Sequence, residues 1–233
     1  MTAASRDELK ALAAEASEQL SDASAEQALR WAVERFGDDL IVASNMQDAV
    51  LIDLATKVKA DIDVLFLDTG YHFAETIGTR DAVSTVYPQV RIINARPGQT
   101  VAEQDAEYGP RLYERDPNQC CHLRKVVPLR ATLANYSCWV TGVRRVDAPT
   151  RADTPIVMWD ERNGLVKVNP IAAWTDEEFD DYIDRHGILQ NPLVGEGYPS
   201  IGCAPCTAKV APGADPRSGR WAGTSKTECG LHA

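Results

Sequence analysis

The sequence lacks any long apolar run, any excess of basic residues and any internal repeat. Because no apolar stretch approaches the roughly 20 residues that span a bilayer, we expect no membrane partner. Residues 1–18 contain no apolar core flanked by basic residues, so we predict a cytoplasmic protein without a secretory signal. A net charge of −10 argues against nucleic acid as a partner, but local groups of cations can still bind a small anion.

The length and composition indicate one large domain followed by a distinct tail. A chain of 233 residues that is 44% hydrophobic can bury a sizeable core. We assign residues 1–206 to a single domain and residues 207–233 to a mobile C-terminal tail, which contains four glycines and two prolines. The tail contains four Lys or Arg residues and two acidic residues, so its net charge is +2 and that of the remaining 206 residues is −12. A basic tail on an acidic body suggests a segment that closes over an anion, and a frayed terminus is the alternative.

Short apolar segments alternate with helical ones along most of the domain. Residues 5–36 have the spacing of two amphipathic helices, with turn residues at 21–24. Strands are predicted at residues 40–43, 64–67, 90–93, 139–142, 156–159 and 165–168, and helices at 47–59, 73–86 and 176–185. This alternation predicts an α/β fold with a mostly parallel sheet and helices on both faces. Ligands bind beyond the carboxyl ends of such strands, where Ser44, Asp68 and Gly142 fall.

The cysteines are concentrated in three places. Cys120 and Cys121 are adjacent, Cys203 and Cys206 form a Cys-x-x-Cys pair, and a further cysteine lies near the C-terminus. A disulfide between neighbouring cysteines needs a strained ring, so the two pairs predict a four-thiolate set that holds either an iron–sulfur cluster or zinc. Consecutive ligands at one tetrahedral ion force an awkward backbone, which favours the cluster, and four unrelated cysteines are the third alternative. Cys138 adjoins a predicted strand and is expected to be a small core residue.

Two cations follow the first cysteine pair. On a helix that starts near Gln119, Cys121 and Lys125 are four residues apart and share a face. Lys125 could therefore offset the charge of the thiolates or hold a ligand anion beside them. A solvated surface lysine is the alternative.

The tail combines a cysteine with arginines. Cys229 is a candidate nucleophile, but a thiol with a pKa near 8.5 needs positive charge nearby to ionise. Arg217, Arg220 and His232 could supply that charge, and the spacing of the two arginines would let one turn aim both at a phosphate or sulfate. Residues 144–151 contain a second group of arginines. An incidental terminal cysteine is the alternative.

With these residues assembled, the chain resembles the assimilatory adenylyl-sulfate (APS) reductases, relatives of the phosphoadenylyl-sulfate reductases, and most nearly their actinobacterial members. The resemblance is carried by Cys120-Cys121-x-x-Arg124-Lys125-x-x-Pro128-Leu129, Leu67-Asp68-Thr69-Gly70, Thr141-Gly142 with Arg144-Arg145 through Thr150-Arg151, Gly202-Cys203-x-x-Cys206, Arg217-x-x-Arg220 and Glu228-Cys229-Gly230-Leu231-His232. It implies an adenine-nucleotide α-hydrolase-like, Rossmann-like fold with a modified phosphate-binding loop.

One segment departs from the family pattern. The loop after the first strand is usually rich in Ser and Gly, and here it spans residues 44–48 and contains no glycine. Ser44 and the N–H groups of the following helix could still receive an anion, as helix N-termini do.

The resemblance also implies a reaction and its participants. These are reduction of adenosine 5′-phosphosulfate to sulfite and AMP through an S-sulfocysteine, with thioredoxin as electron donor, in sulfate assimilation and cysteine biosynthesis. Four cysteines holding one 4Fe-4S cluster per chain favour this substrate over its 3′-phosphorylated form. The implied roles are nucleophile for Cys229, cluster ligands for Cys120, Cys121, Cys203 and Cys206, and substrate contacts for Lys125, Arg151, Arg217, Arg220, His232, Ser44, Leu67 and Gly142.

Two other functions are compatible with the cysteine pattern. One is a cluster-bearing tRNA thiolase on a similar nucleotide-binding fold, which would use ATP and which the acidic charge disfavours. The other is a zinc-stabilised redox or interaction module in which Cys229 is a sensor thiol. The oligomeric state stays open, with a homo-oligomer among the possibilities.

Overall fold

The protein folds around one sheet of six strands. The computed structural model describes residues 5–222 together with Lys226, Glu228, Gly230 and Leu231. The strands are β1 (Leu40–Ala43), β2 (Asp63–Leu67), β3 (Arg91–Ala95), β4 (Cys138–Val140), β5 (Val157–Asp160) and β6 (Leu165–Val168), in the spatial order β3-β2-β1-β4-β6-β5. All six predicted strands are confirmed, with the boundaries of four strands shifted by one or two residues. β4 ends at Val140 and leaves Thr141 and Gly142 just beyond it.

Five strands are parallel, and the edge strand β5 runs antiparallel to β6. The predicted mostly parallel sheet is therefore confirmed. β1 lies at its centre, where Ile41 is in register with Asp63 of β2 on one side and with Trp139 of β4 on the other. The chain leaves β1 toward one side and returns to its other side in β4. A crevice forms at the carboxyl ends of the strands at such a switch point.

Nine α-helices are formed by the residues that the structure describes. They are α1 (Arg6–Gln19), α2 (Ala25–Phe36), α3 (Val50–Val58), α4 (Ala74–Val86), α5 (Val101–Tyr108), α6 (Leu112–Arg115), α7 (Pro117–Cys121), α8 (Val127–Leu133) and α9 (Asp176–His186). Local capping fixes where α1 and α2 begin. The side chains of Ser5 and Ser24 each accept a hydrogen bond from the backbone N–H three residues further on, and the side chains of Glu8 and Gln27 accept one from the backbone N–H of the capping serine. Such caps stabilise a helix by about 1 kcal/mol each.

The sheet buries both of its faces. Leu29 of α2, Ile52 of α3 and Phe66 of β2 are fully buried in the larger core, on the face that α1, α2 and α3 cover. On the opposite face Ile41 and Trp139 pack against α8. Alternate residues of β1 therefore enter different cores, as the pleat of a strand requires.

The segment after residue 206 is joined to the domain over its first half. Ala208 N–H donates to Gly219 O (2.9 Å), Val210 N–H donates to Gly197 O (2.9 Å), and Trp221 is buried. The division of the chain at residue 206 stays a prediction. In the part of the chain that the structure describes, no helix combines the length and the apolar character needed to cross a bilayer.

Candidate active site

A cavity of about 410 Å³ opens at the carboxyl ends of the central strands. Its floor includes Ser44 after β1, Leu67 at the end of β2 and Gly142 after β4, three of the predicted substrate contacts. The volume falls within the usual range for sites that bind small molecules and nucleotides. A cavity thus lies where the sequence predicted the site, and the roles of the individual residues stay predictions.

Four cysteines surround a second, smaller cavity beside the first. Cys120 and Cys121 end α7, Cys203 directly precedes the short turn Ala204–Cys206, and Cys206 ends that turn. None of the four is in a disulfide, and the Cys203 sulfur lies 3.3 Å from the Thr69 hydroxyl. The sequence predicted this grouping, although the two pairs are far apart along the chain.

The four thiols influence one another. Burial, followed by the neighbouring Cys121, Cys203 and Cys206, raises the pKa of Cys120 to about 12. Burial, followed by the neighbouring Cys203 and Cys121, raises the pKa of Cys206 to about 11, against the opposing charge of Lys125. Four thiolates cannot coexist here without a cationic group to neutralise them.

The thiols surround a space and do not converge on a single point. Among the described residues, no three Cys, His, Asp or Glu side chains are close enough together to hold one metal ion. A zinc ion would bring all its sulfurs to about 2.3 Å from one centre. The geometry therefore differs from that of an assembled zinc site.

Lys125 lies between the two cavities. It lines both of them and is only 8% exposed, which rules out the solvated surface lysine considered above. The regular helix predicted here is wrong in one turn, because α7 gives way to a π-helical turn, His122–Val126, before α8 begins. π-turns within helices often occur at functional sites, and this one carries Lys125 between the thiols and the strand ends.

Sequence reasoning gave no separate role to Arg124, which the structure buries beside the thiols. Its side chain is 3% exposed, donates to Thr69 O and to Gln104 Oε1 (3.0 Å for the latter), and lies 5.1 Å from the centre of the Tyr71 ring. The carbonyl, the amide and the aromatic ring are all neutral partners of the guanidinium. The position of Arg124 next to Lys125, just after the first cysteine pair, was the sequence signal that could have indicated a role at the site.

Two predicted arginines meet on one carboxylate. Arg151 donates from Nε to Glu228 Oε1 (3.1 Å) and from Nη2 to Glu228 Oε2 (3.0 Å), and Arg217 donates from Nη2 to the same Oε2 (3.1 Å). The three side chains are only 13%, 18% and 16% exposed, in the order Arg151, Arg217, Glu228. We call Arg151 and Arg217 the arginine pair. Sequence reasoning missed Glu228 as a site residue, although it belongs to the C-terminal motif.

Arg220 also lines the cavity but has different partners. Its Nη1 donates to Ile201 O (3.2 Å) and Ser200 Oγ (3.3 Å), and its guanidinium lies 4.7 Å from the centre of the Trp221 ring. Arg217 and Arg220 line the same cavity, and the expectation that one turn would aim both at the same anion stays a prediction. A side chain at Gly202 would collide with the Arg220 guanidinium in its present position and would force it to move.

The remaining predicted residues, Cys229 and His232, lie outside the described residues. Their described neighbours Glu228 and Leu231 both line the cavity. Leu231 also packs against the small core that contains Ile41 and Trp139. The C-terminal motif is thus represented at the site by these two side chains.

Side chains of the loop after β1 accept hydrogen bonds from three nearby backbone N–H groups. Met46 N–H donates to Ser44 Oγ (3.2 Å), Gln47 N–H to Asn45 Oδ1 (3.1 Å) and Val50 N–H to Asp48 Oδ1 (3.0 Å). Loop side chains thus engage these three N–H groups, and the anion-binding role expected for Ser44 and the N–H groups of α3 stays a prediction. With no glycine in the loop, Met46 adopts the left-handed conformation at φ 59°, which non-glycine residues rarely do.

The Asp48 carboxyl borders the cavity, and burial raises its pKa to about 6 against the hydrogen bond from Val50. The folded protein thus binds this proton more tightly than the unfolded chain does. Its contribution to stability is therefore complete below about pH 4 and is lost as the pH rises through about 6.

Substitution Asp48→Asn is expected to raise the Tm at pH 7 and to leave it unchanged below about pH 4. The full pKa shift of Asp48 corresponds to about 3 kcal/mol in the free energy of unfolding. Because the carboxyl borders the cavity, where solvent screens its charge, we expect a gain of about 1–2 kcal/mol. Thermal unfolding of the purified protein between pH 4 and 7.5 measures this, with the exposed Asp22→Asn as control. A Tm at pH 7 that is no higher than that of the wild type would contradict the expectation.

A family model and two similar proteins all point to the same protein family. The family model of the phosphoadenosine phosphosulfate reductase domain matches residues 40–209. A protein from Mycolicibacterium smegmatis named adenosine 5′-phosphosulfate reductase is 65% identical over 232 residues, which cover 100% of this chain and 98% of that protein. A protein of the same name from Rhodococcus erythropolis is 61% identical over 240 residues, with 99% and 97% covered.

Solved structures share the fold. The phosphoadenylyl-sulfate (PAPS) reductase from Candida auris, in a phosphate complex, superposes with a TM-score of 0.72 at 25% identity and covers 89% of this chain and 98% of its own. An FMN adenylyltransferase from Candida glabrata reaches a TM-score of 0.56 at 13% identity, with 90% and 69% covered, and shares the fold alone. These matches agree with the predicted adenine-nucleotide α-hydrolase-like fold.

Proposed function

The chain belongs to the phosphoadenosine phosphosulfate reductase domain family, and we propose that it reduces adenosine 5′-phosphosulfate to sulfite and AMP in sulfate assimilation. The observation that carries the proposal is a nucleotide-sized cavity with an arginine pair at one end and a buried lysine joining it to four thiols. The relatives that cover nearly all of this chain are named for the same reaction. We therefore take the substrate without a 3′-phosphate as the preferred one.

The cavity has a part suited to each half of this substrate. Leu67 and Gly142 offer apolar and backbone surface at the strand ends for the adenosine, with Ser44 beside them. Lys125 and the arginine pair provide positive charge for the phosphosulfate, and Arg220 lines the same cavity. Guanidinium groups are the side chains best matched to phosphate and sulfate oxygens.

We propose that Cys120, Cys121, Cys203 and Cys206 hold one 4Fe-4S cluster per chain. The four thiols line one small cavity, and four cysteine thiolates are the ligand set of such a cluster. The buried Arg124 and Lys125 would offset the negative charge of such a group. When bound, the cluster supplies a fixed electrostatic and structural element beside the substrate anion.

In the proposed first step, the Cys229 thiolate attacks the sulfur of the phosphosulfate. An S–S bond forms while the bond from that sulfur to the bridging oxygen breaks, and AMP leaves with the electron pair of the broken bond. Lys125 and the arginines stabilise the charge that develops on the leaving phosphate. The product on the enzyme is an S-sulfocysteine.

In the proposed second step, a thiolate of reduced thioredoxin attacks the Cys229 sulfur. Sulfite leaves with the electron pair of the S–S bond, and a mixed disulfide remains. The second thioredoxin thiol then attacks the thioredoxin sulfur of the mixed disulfide, which releases the Cys229 thiolate and oxidised thioredoxin. Two thiols thus supply both electrons, so no redox change elsewhere is required. A reducing cytoplasm suits this chemistry, and we propose it as the location.

An anaerobic assay with purified protein, reduced thioredoxin and each of the two nucleotide sulfates tests the proposal. We expect sulfite and AMP from adenosine 5′-phosphosulfate, and much slower turnover of the 3′-phosphorylated form. Omission of thioredoxin should limit the yield to one AMP per chain. Absence of sulfite with both substrates would refute the function.

Analysis for iron, sulfide and zinc tests the cofactor separately. About four iron and four sulfide per chain are expected for one 4Fe-4S cluster. Cys206→Ala should lose most of both, because it removes one of four ligands, whereas Cys138→Ala should retain them. A colourless protein with one zinc would instead support the interaction module, and ATP-dependent transfer of sulfur to tRNA would support the thiolase.

A further inference from the structure

The arginine pair is already occupied by a carboxylate from the chain itself. Glu228 takes the Nε and Nη2 donors of Arg151 with both of its oxygens and shares one oxygen with Arg217. This two-point geometry is the one in which a guanidinium binds a phosphate or sulfate. The Thr150 hydroxyl also lies 3.4 Å from Glu228 Oε1.

The remaining donors of Arg151 are also partly engaged. Its Nη1 lies 3.3 Å from Asp147 Oδ2, and the other oxygen of Asp147 pairs with Arg144 at 2.9 Å. Arg151 can therefore present its Nε–Nη2 edge to an incoming anion only if Glu228 moves away. The same movement would break the hydrogen bond that Arg217 Nη2 donates to Glu228 Oε2.

The chain around Glu228 has attachments that do not depend on the arginine pair. Lys226 donates to Asn118 Oδ1 (2.6 Å), and Leu231 packs against the small core. The carboxylate can therefore leave the arginines while the segment stays at the cavity. Glu228 also directly precedes Cys229 in the chain, so the position of one constrains that of the other.

We propose that Glu228 is an internal counter-anion that occupies the arginine pair until the anionic group of the substrate displaces it. The exchange makes Glu228 a positioning residue, since it couples binding of the substrate anion to the placement of the segment that carries Cys229. The identity of the substrate rests on the function proposed above. The occupancy of the arginine pair by Glu228 does not.

Binding of inorganic sulfate by the holoenzyme tests the exchange without any turnover. Isothermal titration at constant ionic strength should give a sulfate Kd about tenfold lower in Glu228→Gln than in the wild type, because a site blocked nine-tenths of the time loses that factor in apparent affinity. The control Asp147→Asn removes one negative charge from the same arginine but leaves the Nε–Nη2 edge blocked. It should improve sulfate binding far less.

A second measurement separates displacement from a general gain in positive charge. In an Arg151→Ala background, Glu228→Gln should produce little or no gain in sulfate affinity, because the blocked edge no longer exists. An unchanged Kd in Glu228→Gln, an equal gain in Asp147→Asn, or an undiminished gain without Arg151 would each overturn the proposal. Because sulfate binding needs neither Cys229 nor thioredoxin, these outcomes are distinguishable from failure of the proposed reaction.

Discussion

Replacement of Cys229 by serine is expected to abolish sulfite production, with a loss of about 10⁴-fold or more, because a serine hydroxyl without a general base cannot replace a thiolate nucleophile. The variant should still bind substrate and should retain its iron and sulfide. With ³⁵S-labelled substrate and no thioredoxin, the wild type should yield labelled protein and the variant none. The measurement is the rate of sulfite release together with the label retained on denatured, desalted enzyme.

The control for this experiment is the other cysteine outside the four-thiol set. Cys138 is fully buried in β4, where burial raises the pKa of its thiol well above the ordinary value. Cys138→Ala should therefore keep near-normal turnover and label incorporation, apart from a modest loss of stability. Full activity in Cys229→Ser would end the proposed mechanism, whatever the state of the iron.

Replacement of Lys125 by alanine is expected to lower kcat/KM by about 10²–10³-fold, the range observed when one preorganised donor to developing charge is removed. The physical reason is the position of Lys125, which is 8% exposed and lines both the cavity at the strand ends and the one surrounded by the thiols. No other cation described in the structure lines both. Steady-state kinetics with adenosine 5′-phosphosulfate measures the effect.

Two comparisons make the Lys125 result specific. Lys10→Ala removes an exposed lysine that pairs with Glu161 at the surface, and it should change kcat/KM by less than about twofold. The iron content of Lys125→Ala must also be measured, since loss of the metal would lower activity by another route. Wild-type kinetics in an iron-replete Lys125→Ala enzyme would remove this residue from the proposed site.

Carboxyl groups of the protein itself contact two of the groups that the sequence predicted to bind a ligand anion. Asp48 accepts from the N–H of Val50 at the start of α3, and Glu228 accepts from the arginine pair. Both carboxylates line the cavity that we assign to a substrate with its own negative charge. Binding of that substrate must therefore overcome or displace negative charge, and the Asp48→Asn and Glu228→Gln variants separate the two contributions.

The sequence determined the features that depend on local signals. The apolar runs located the strands, Ser5 and Ser24 fixed the starts of α1 and α2, and the cysteine spacing identified the four-thiol group. Hydrophobic periodicity and capping involve residues a few positions apart, so they can be read without knowledge of the fold. The motifs indicated the family in the same way, since the spacing of their residues is a property of the sequence alone.

Only the tertiary structure decided which side chains meet. Arg151 and Glu228 are 77 residues apart, and no local pattern predicts that one carboxylate should bridge the arginine pair. The same is true of Arg124, whose neutral partners come from Thr69 and Gln104, and of the turn that places Lys125 between two cavities. Charge and hydrogen bonding act through space, so the occupant of an anion site follows from packing, while the residues capable of forming that site follow from the sequence.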